Sequence, residues 1–326
     1  MAYALITGGT GFVGSHLARA LIEAGHSVRI LHRKSSKLDV LEGVKFESAY
    51  GDVLELDALR EACAGCDWVF HVAAVADYWR ADKAYMFEVN VEGTRRVLQA
   101  AREAGVKRVV FTSSAAAIGL TQGGASDETT PFNLSPERFP YGYSKVLAQQ
   151  VVAEAVATGQ EVVTVNPVIV IGPGDLNQIS GSMVIESKRK GRFVPVPPGG
   201  AAYVDVRDVA RWQLRAAEVG ISGERYLLGT VNFTHREWFD MIAQVVGAPR
   251  PIIALPRFIL PIGASVVNGL RALGVKLPID GNQVVLGGMD VYFKYDKAWA
   301  AFGTPQVAME MSLQDTYAWY RARGII

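Results

Sequence analysis

The sequence is poor in cysteine, and this shortage limits the metal and redox chemistry open to it. Its 326 residues include two cysteines, Cys63 and Cys66, which form a single C-x-x-C pair. A structural zinc site needs four ligands, and no second pair accompanies this one. We therefore expect no metal site. The pair is either a redox couple or two thiols packed at a helix end against a sheet, and the surrounding alanines and glycine favour packing.

Net charge is almost absent as well. The 33 lysines and arginines are balanced by 32 aspartates and glutamates, which leaves a formal net charge of +1. Proteins that bind nucleic acid or an anionic membrane surface through charge are usually much more basic. We therefore expect neither partner.

Long apolar runs are also missing. The stretch Phe258–Leu270 has thirteen residues without a charge, but Pro261 and Gly263 interrupt it, and a membrane-spanning helix needs about twenty residues. It predicts a buried or partner-facing helix, with membrane contact or a lid as the alternative. The first strand begins by Tyr3, which leaves no room for a signal peptide before it. Together these features predict a cytoplasmic protein.

Apolar residues make up 50% of the chain, enough for a large core. Apolar strands alternate with amphipathic helices through the first half, a pattern typical of a parallel α/β sheet covered on both faces. Further helices are predicted near residues 234–246, 256–273 and 312–322. The predicted strands are 4–6, 28–31, 45–47, 68–72, 109–111 and 162–165, with helices near 55–64 and 84–104 between them.

A glycine-rich turn follows the first strand directly. Glycines at 8, 11 and 14 have the spacing G-x-x-G-x-x-G, and Val13, Leu17 and Leu21 then form the apolar stripe of a helix. Strand, glycine turn and helix form the first unit of a dinucleotide-binding fold, in which the helix N-terminus faces a pyrophosphate. The predicted cofactor-binding residues of this unit are Thr7, Gly8, Gly11, Phe12, Val13 and Gly14.

A second group of polar residues lies near the middle of the chain. The fifth strand ends in Ser113 and Ser114, and Tyr141 and Lys145 follow four residues apart. On a helix, residues i and i+4 share a face, whereas Tyr143 points elsewhere. Tyr141 is therefore the predicted catalytic acid.

With both motifs present, the chain resembles the extended short-chain dehydrogenases/reductases of the NAD-dependent epimerase/dehydratase superfamily. It looks most like the dihydroflavonol-4-reductase-like and hopanoid-associated epimerase-like branches. The later blocks Asn166-Pro167, Gly172–Gly174, 203–210 and 223–226 extend the resemblance over most of the chain.

The resemblance implies a doubly wound parallel Rossmann sheet with a smaller, mostly helical substrate-side domain. The dinucleotide-binding domain would cover residues 1–171, with 203–229 returning to it. The substrate-binding domain would comprise 172–202 and 230–326.

It also implies the roles of individual residues. Aligning Gly119 with the family's glycine places the catalytic serine at Ser114, with Ser113 as the fallback. Ser114 would bond the substrate carbonyl, and Lys145 would hold the nicotinamide ribose. Lys145 and the positively charged nicotinamide would together lower the pKa of Tyr141. Further cofactor contacts would come from Asp52, which matches the adenine-contacting residue, and from Val53, Ala73, Ala74, Asn90, Pro167 and Val168.

The end of the second strand bears on the choice between NADP and NAD. NAD-binding relatives usually carry a carboxylate there for the ribose 2′-hydroxyl, but residues 31–38 here contain none before Asp39. A guanidinium pairs with a 2′-phosphate that a carboxylate would repel. We predict NADP rather than NAD, with Arg33 as the phosphate partner and Lys34, Ser35 and Lys37 in reserve. An ordinary solvated basic turn is the alternative.

The predicted function is NADP-dependent reduction of a ketone or aldehyde to an alcohol. A nucleotide-sugar epimerase and a non-catalytic dinucleotide-binding regulator are the alternatives, although such a regulator would usually lack the tyrosine or lysine. A dehydratase would need an Asp-Glu pair beside the serine, where this chain has Ala115-Ala116. A homodimer is left open.

The substrate-side sequence is mainly apolar. Cations for a nucleotide diphosphate are available at 188–190, Arg192 and Arg207, but the Lys-Arg-Lys run has the pattern of a solvated helix face. Tyr78 and Trp79 belong either to the pocket or to a helix interior. We therefore predict a hydrophobic pocket and an aromatic or alicyclic carbonyl substrate.

Overall fold

The computed structural model describes residues 1–76, 82–275, 277 and 279–326. In this part of the chain, seven strands form one parallel sheet in the order β10-β6-β5-β4-β1-β2-β3. These strands are β1 (Tyr3–Thr7), β2 (Ser27–His32), β3 (Glu47–Tyr50), β4 (Trp68–His71), β5 (Arg108–Thr112), β6 (Val162–Pro167) and β10 (Arg225–Leu228). The order of strands reverses between β1 and β4. The predicted doubly wound Rossmann sheet is confirmed.

Helices cover both faces of this sheet. The apolar stripe of the first helix packs inward, with Leu17 and Leu21 fully buried. The helices around this sheet are α1 (Phe12–Glu23), α2 (Leu56–Cys63), α3 (Lys83–Phe87), α4 (Gly93–Glu103), α5 (Pro140–Ala157) and α7 (Val206–Val219). Within the described residues, no helix is long and apolar enough to cross a membrane.

Two predicted elements differ from the structure. The third strand begins at Glu47 rather than Lys45, because its pairing with β2 starts at Arg29 opposite Glu47, and Phe46 packs against the core ahead of it. The predicted helix 84–104 is interrupted by a π-helical turn, Glu88–Glu92, between α3 and α4. That turn is tied to neighbouring elements by Asn90, as described below.

Cys63 and Cys66 are both buried and unbonded to each other. Burial raises the pKa of the Cys63 thiol to about 12. The two thiols thus pack at the end of α2, as the helix-end interpretation required. Among the described residues, no cluster of three His, Cys, Asp or Glu side chains could hold a metal ion.

The C-terminal part is largely helical and adds a small sheet that the sequence did not predict. β9 (Gly200–Asp205) pairs with β7 (Ile169–Ile171), β11 (Val231–Thr234) and β13 (Asp290–Val291). A short pair, β8 (Pro195–Val196) with β12 (Ile253–Ala254), lies beside it. The helices here are α6 (Ser182–Lys190), α8 (His235–Val246), α9 (Leu260–Ala272), α10 (Gly281–Leu286), α11 (Asp296–Phe302) and α12 (Met309–Ala322).

The apolar stretch 258–270 is not buried, contrary to one of the two placements expected for it. It forms a short 3₁₀ turn and most of α9, in which Leu260 and Ala264 are the buried residues. Phe258 is 78% exposed and Ile262 is 62% exposed. Hydrophobic composition predicts burial only when a neighbouring element covers the whole helix, and α10 covers one face.

Candidate active site

A cleft of ≈1240 Å³ runs along the carboxyl ends of the central strands. The ends coincide because the strands are parallel and in register, with Thr7 opposite His71 and His71 opposite Phe111. The volume exceeds the range of about 300–1,000 Å³ typical of a pocket for one drug-sized ligand. The sequence-predicted residues that line it are Gly8, Gly11, Phe12, Val13, Gly14, Arg33, Lys37, Asp52, Val53, Ala73, Ala74, Ser114, Tyr141, Lys145, Pro167 and Val168.

The glycine loop leaves bare backbone at the cleft wall. Gly8 has a φ of +76°, and a Cβ there would lie 2.6 Å from the backbone nitrogen of Ala73. A Cβ at Gly14 would lie 2.3 Å from the Gly8 carbonyl oxygen. Both positions therefore require glycine, one to make the turn and one to let α1 pack on it.

The N-terminus of α1 opens into the same place. Its N-cap residue is Gly11, which has no side chain to bond the first N–H groups. Those N–H groups stay available to an anion, and the helix dipole favours negative charge there. The loop thus fits the pyrophosphate of a dinucleotide.

The rim after β2 is basic but not purely so. Arg33, Ser35 and Lys37 line it, and Asp39 lines it too. The Arg33 side chain is 63% exposed, and its Nη1 lies 3.9 Å from Oδ2 of Asp52. This guanidinium is therefore free to turn toward an anion bound at the rim.

Thr7 and Asn90 stand behind the cleft wall rather than at its surface, and both are buried. Thr7 Oγ1 lies 2.8 Å from His71 Nδ1, and His71 Nε2 lies 3.0 Å from Thr94 Oγ1. Thr94 in turn donates to the Asn90 carbonyl oxygen at 2.7 Å. Burial, and secondarily the Lys145 charge, lowers the pKa of His71 to about 3, so the ring is neutral at pH 7.

Asn90 joins three parts of the site. Its side chain accepts from the Val75 amide at 2.8 Å and donates to the Val75 carbonyl at 3.1 Å. It also donates to Ser144 Oγ on α5 at 3.0 Å. The π-helical turn thus fixes the segment after β4 against the helix that carries Tyr141. His71 and Thr94, which belong to this network, have no signal in the sequence beyond their positions after a strand and in a helix.

Ser114, Tyr141 and Lys145 converge in the cleft. Tyr141 is half-buried on α5 and shares a side-chain hydrogen bond with Ser114. Lys145, one turn further along α5, is buried and donates from Nζ to the Thr112 carbonyl at 3.2 Å. Ser114 caps the turn Ala115–Ala117 by accepting from the Ala116 amide at 3.1 Å. Asn166 fixes the Ser114 carbonyl at 2.8 Å.

Burial controls the charges of this group. It lowers the pKa of Lys145 to about 7. Burial also raises the pKa of Tyr141, and the Ser114 hydrogen bond opposes that rise. The expectation that Lys145 lowers the tyrosine pKa is therefore not met by the protein alone. The positively charged nicotinamide, the other cause expected from the sequence, would add attraction for a phenolate when it is bound in the cleft.

The two competing residues, Tyr143 and Ser113, have other partners. Tyr143 packs against Phe87 and Phe132, with ring centroids 6.3 and 6.2 Å apart. Ser113 reaches the cleft, but its Oγ accepts from Gln149 at 2.7 Å. The geometry therefore favours Tyr141 over Tyr143 and Ser114 over Ser113.

The other half of the cleft is mainly apolar. Asp175 lines it, but its carboxylate is buried and accepts the amides of residues 179–181. His235 also lines it, and burial lowers its pKa to about 4. The apolar lining residues on this side include Leu120, Leu134, Phe139, Ile169, Leu176, Ile179, Met183, Leu286 and Phe293. Tyr78 and Trp79 lie outside the described residues.

The cations considered for a nucleotide diphosphate lie elsewhere. Residues 188–190 are exposed on α6, where Lys190 pairs with Glu186 at 2.6 Å. Arg207 pairs with Asp205 at 2.9 Å and with Asp315 at 2.7 Å. The described residues that line the cleft include neither residues 188–190 nor Arg192 or Arg207.

The sequence profile of the NAD dependent epimerase/dehydratase family matches residues 4–229, which is more than half of the chain. The chain belongs to this family. The match includes the glycine loop, the serine turn, and the tyrosine and lysine of α5.

Members of the epimerase/dehydratase family that are similar over the whole chain include two bacterial proteins. A Synechocystis protein named "Putative dihydroflavonol 4-reductase" is 34% identical over 98% of this chain and 95% of its own. Sterol demethylase protein B of Methylococcus capsulatus is 32% identical over 99% of both chains. Cinnamoyl-CoA reductase 1 of Petunia hybrida is 36% identical over 68% of this chain and 71% of its own. The resemblance to extended short-chain dehydrogenases/reductases of the dihydroflavonol-reductase-like type is thus confirmed.

Solved structures of the family share the fold. The crystal structure of gox2253 superposes with a TM-score of 0.87 and 34% identity over 99% of both chains. A UDP-glucose 4-epimerase from Thermotoga maritima has a TM-score of 0.79 at 23% identity, covering 98% of this chain and 99% of its own. At that identity the likeness concerns the fold alone. Family membership and the reductase relatives support an oxidoreductase that uses a nicotinamide dinucleotide.

Proposed function

We propose that this protein is an NADP-dependent reductase of a largely apolar ketone or aldehyde. The observation that carries the proposal is the joint placement of Ser114, Tyr141 and Lys145 in one cleft whose other half is apolar. The first feature suits proton transfer to a carbonyl oxygen. The second suits a substrate with a hydrophobic body.

The three residues have separate roles in this proposal. Tyr141 Oη donates its proton to the substrate oxygen as the carbonyl carbon becomes tetrahedral. Ser114 Oγ donates a hydrogen bond to that oxygen, where negative charge develops. Lys145 holds the ribose hydroxyls and supplies positive charge near the phenol. The reduced nicotinamide, when bound, supplies the hydride.

The dinucleotide would lie across the sheet edge from the glycine loop to Lys145. Residues 1–171 and 203–229 would bind it, and residues 172–202 and 230–326 would bind the substrate. Asp52 and Val53 would contact the adenine end, Ala73 and Ala74 would lie beneath the cofactor, and Pro167 and Val168 would flank its nicotinamide end. Thr7 and Asn90 would position these contacts from behind the wall. A cytoplasmic location belongs to the same proposal, and a homodimer stays a prediction.

The preference for NADP rests on Arg33. Its guanidinium is exposed at the rim, where it can make paired hydrogen bonds to a 2′-phosphate. Lys37 and Ser35 line the rim beside it. Asp39 also lines the rim. Its carboxylate could bond the ribose 2′-hydroxyl of NAD, so it is the residue that would favour NAD over NADP.

The names of the relatives agree with the apolar cleft. They refer to a dihydroflavonol, a cinnamoyl thioester and a sterol, each with an aromatic or alicyclic body. We propose a substrate of that kind, a carbonyl on an aromatic or alicyclic frame.

The test is to mix purified protein with NADPH and a panel of aromatic and alicyclic ketones and aldehydes, and to follow NADPH absorbance. Parallel samples contain NADH, or a UDP-sugar in place of the carbonyl. We expect NADPH loss with at least one carbonyl and much less with NADH. Tight UDP-sugar binding with no reduction of any carbonyl would place the protein with the epimerases. Dinucleotide binding with neither activity would favour a regulator.

A further inference from the structure

Exposed hydrophobic side chains are concentrated in one segment near the C-terminal end. Of the nineteen large hydrophobic residues that are exposed in the described part of the chain, ten lie between Ile252 and Ile279. Single exposed apolar residues are ordinary, whereas a contiguous exposed patch marks an interaction surface. This segment is therefore a candidate surface.

The exposed residues form a stripe along α9 and the turn before it. Phe258, Ile262, Val266 and Leu270 follow each other at intervals of four, and they are 78%, 62%, 56% and 38% exposed. A helix turns about 100° per residue, so each interval of four moves only about 40° around the axis. Ile262, Val266 and Leu270, with Leu273 at 82% exposure at the C-cap, thus share one face of α9, and Phe258 lies in the 3₁₀ turn just before it.

The opposite face of α9 is occupied. Leu260 and Ala264 are buried, and Asn268 Oδ1 accepts the Gly281 amide of α10 at 2.9 Å. α10 in turn contributes Gln283 and Leu286 to the lining of the cleft. The apolar stripe is therefore the outer surface of the wall that closes the cleft on the substrate side.

The charge of this segment is one-sided. Residues 241–279 contain four lysines and arginines and no aspartate or glutamate. Arg257 is 66% exposed beside Phe258, with Asp290 3.7 Å away as its partner. The next acid along the chain, Asp280, is engaged in capping α10. A net charge of +1 for the whole chain conceals this local excess.

We propose that α9 and the turn before it dock on an anionic lipid surface, with the stripe inserted at the headgroup boundary. Apolar residues on one helix face and cations around them are the features of helices that lie in a membrane interface. The proposal departs from the sequence expectation of no membrane partner. It is independent of the reductase chemistry proposed above.

A second copy of the chain fits the stripe less well. A two-fold interface brings the same patch of both copies together, so the excess of cations over acids in one segment would face the same excess in the other, offset only in part by Asp290 beside Arg257. An anionic surface removes that repulsion.

The test uses the full-length protein and sedimentation with vesicles. One set is phosphatidylcholine alone, and the other is phosphatidylcholine mixed with phosphatidylglycerol. We expect binding to the mixed vesicles that weakens as salt is added, and weaker binding to the neutral ones. Ile262→Asp should reduce binding to the mixed vesicles about tenfold or more, since it removes one inserted apolar side chain and adds a like charge to the lipid.

Ile221→Asp is the matched control, because Ile221 is 64% exposed in the loop between α7 and β10 and does not belong to α9. It should bind vesicles as the unchanged protein does. Phe258→Ser serves as a second variant if Ile262→Asp fails to fold. Absence of binding to both vesicle types overturns the proposal, as does equal loss in Ile262→Asp and Ile221→Asp. Self-association that Ile262→Asp abolishes, with no vesicle binding, would assign the stripe to a second copy.

Discussion

At the Tyr141 hydroxyl, two influences on the pKa oppose each other. Burial raises the pKa, and the Ser114 hydrogen bond lowers it. The phenol is therefore protonated at neutral pH in the protein alone, which is the form that can donate a proton. Four residues along α5, burial lowers the pKa of Lys145 to about 7. This ammonium group is thus close to its titration point at physiological pH.

Tyr141→Phe should lower turnover by about a hundredfold or more, the scale for removing a positioned acid. Dinucleotide affinity should change little, because the ring and Lys145 remain. Tyr143→Phe is the control, since Tyr143 packs between aromatic rings away from the cleft. The measurement is steady-state carbonyl reduction together with dinucleotide titration. Similar losses in both variants, or a larger loss in Tyr143→Phe, would refute the assignment.

Arg33→Ala should weaken NADPH binding about tenfold, equivalent to about 1.5 kcal/mol, the low end for a hydrogen bond to a charged group. The low end applies because the side chain is 63% exposed. NADH binding should stay nearly unchanged. Fluorescence titration with both dinucleotides measures the difference. Equal affinity of the unchanged protein for NADPH and NADH would already rule out the role given to Arg33.

The buried lysine should also make stability depend on pH. Its folded pKa, about 7, lies below the usual 10.5, so between these values the unfolded chain binds more protons than the folded one. Stability contributed at this site therefore rises with pH across that window. In the dinucleotide-free protein, the melting-temperature advantage of Lys145→Met over the unchanged protein should be largest near pH 7 and shrink toward pH 10. Lys45→Met, at an exposed site, is the control for removal of a lysine side chain. An advantage of Lys145→Met that is independent of pH would contradict this account.

Sequence spacing was a good guide to residues that act from one helix face. Tyr141 and Lys145 could be paired from their separation of four, and Tyr143 set aside. Sequence spacing could not show that Thr7 and Asn90 lie behind the cleft wall, nor that His71 and Thr94 connect them. Those contacts join residues as far apart as 64 positions, and no local pattern encodes them.

At the scale of elements, the start of α5 touches the serine turn very closely. A Cβ at Gly142 would lie 2.3 Å from the Ala116 carbonyl oxygen. Glycine at this position therefore lets α5 approach the turn that holds Ser114. The contact couples the positions of Ser114 and Tyr141, which come from different elements.

Gly142→Ala should destabilise the protein by about 1–3 kcal/mol, the usual range for overpacking a close contact. It should also reduce turnover, because α5 must move away from Ser114. Gly269→Ala in α9 is the control, since nothing lies within 4 Å of a Cβ there. That variant should gain about 0.5–1 kcal/mol from helix propensity. Denaturant unfolding of both variants measures the contrast, and stabilisation by Gly142→Ala would contradict it.

Elements with a strong local pattern were predictable, and those defined by distant pairing were not. The α8 helix, with its Thr234 capping box, starts and ends near the predicted bounds. β3 was misplaced because it is an edge strand whose residues are largely exposed, so it lacks an apolar signal. The small sheet around β9 joins strands from four separate parts of the chain. For α9, burial was one of the expected placements because apolar composition usually indicates burial, but the helix is mostly exposed.

On the scale of the whole molecule, one sheet edge would serve both proposed ligands. The reversal of strand order between β1 and β4 opens the crevice for the dinucleotide. The C-terminal helices close the same crevice with apolar side chains. A reductase releases an alcohol product that keeps the transferred hydride. An epimerase would instead return the hydride to the same sugar. The fold is common to both outcomes, so a measurement of the hydride must decide between them.

That measurement follows a deuterium atom from the nicotinamide C4 of labelled NADPH. The protein is incubated with the labelled cofactor and an aromatic or alicyclic ketone, and the alcohol is analysed by mass spectrometry. The account predicts one deuterium on the new carbinol carbon for each NADPH oxidised, and loss of this transfer in Tyr141→Phe. Failure to label any carbonyl product, together with epimerisation of a UDP-sugar without net cofactor oxidation, would contradict it.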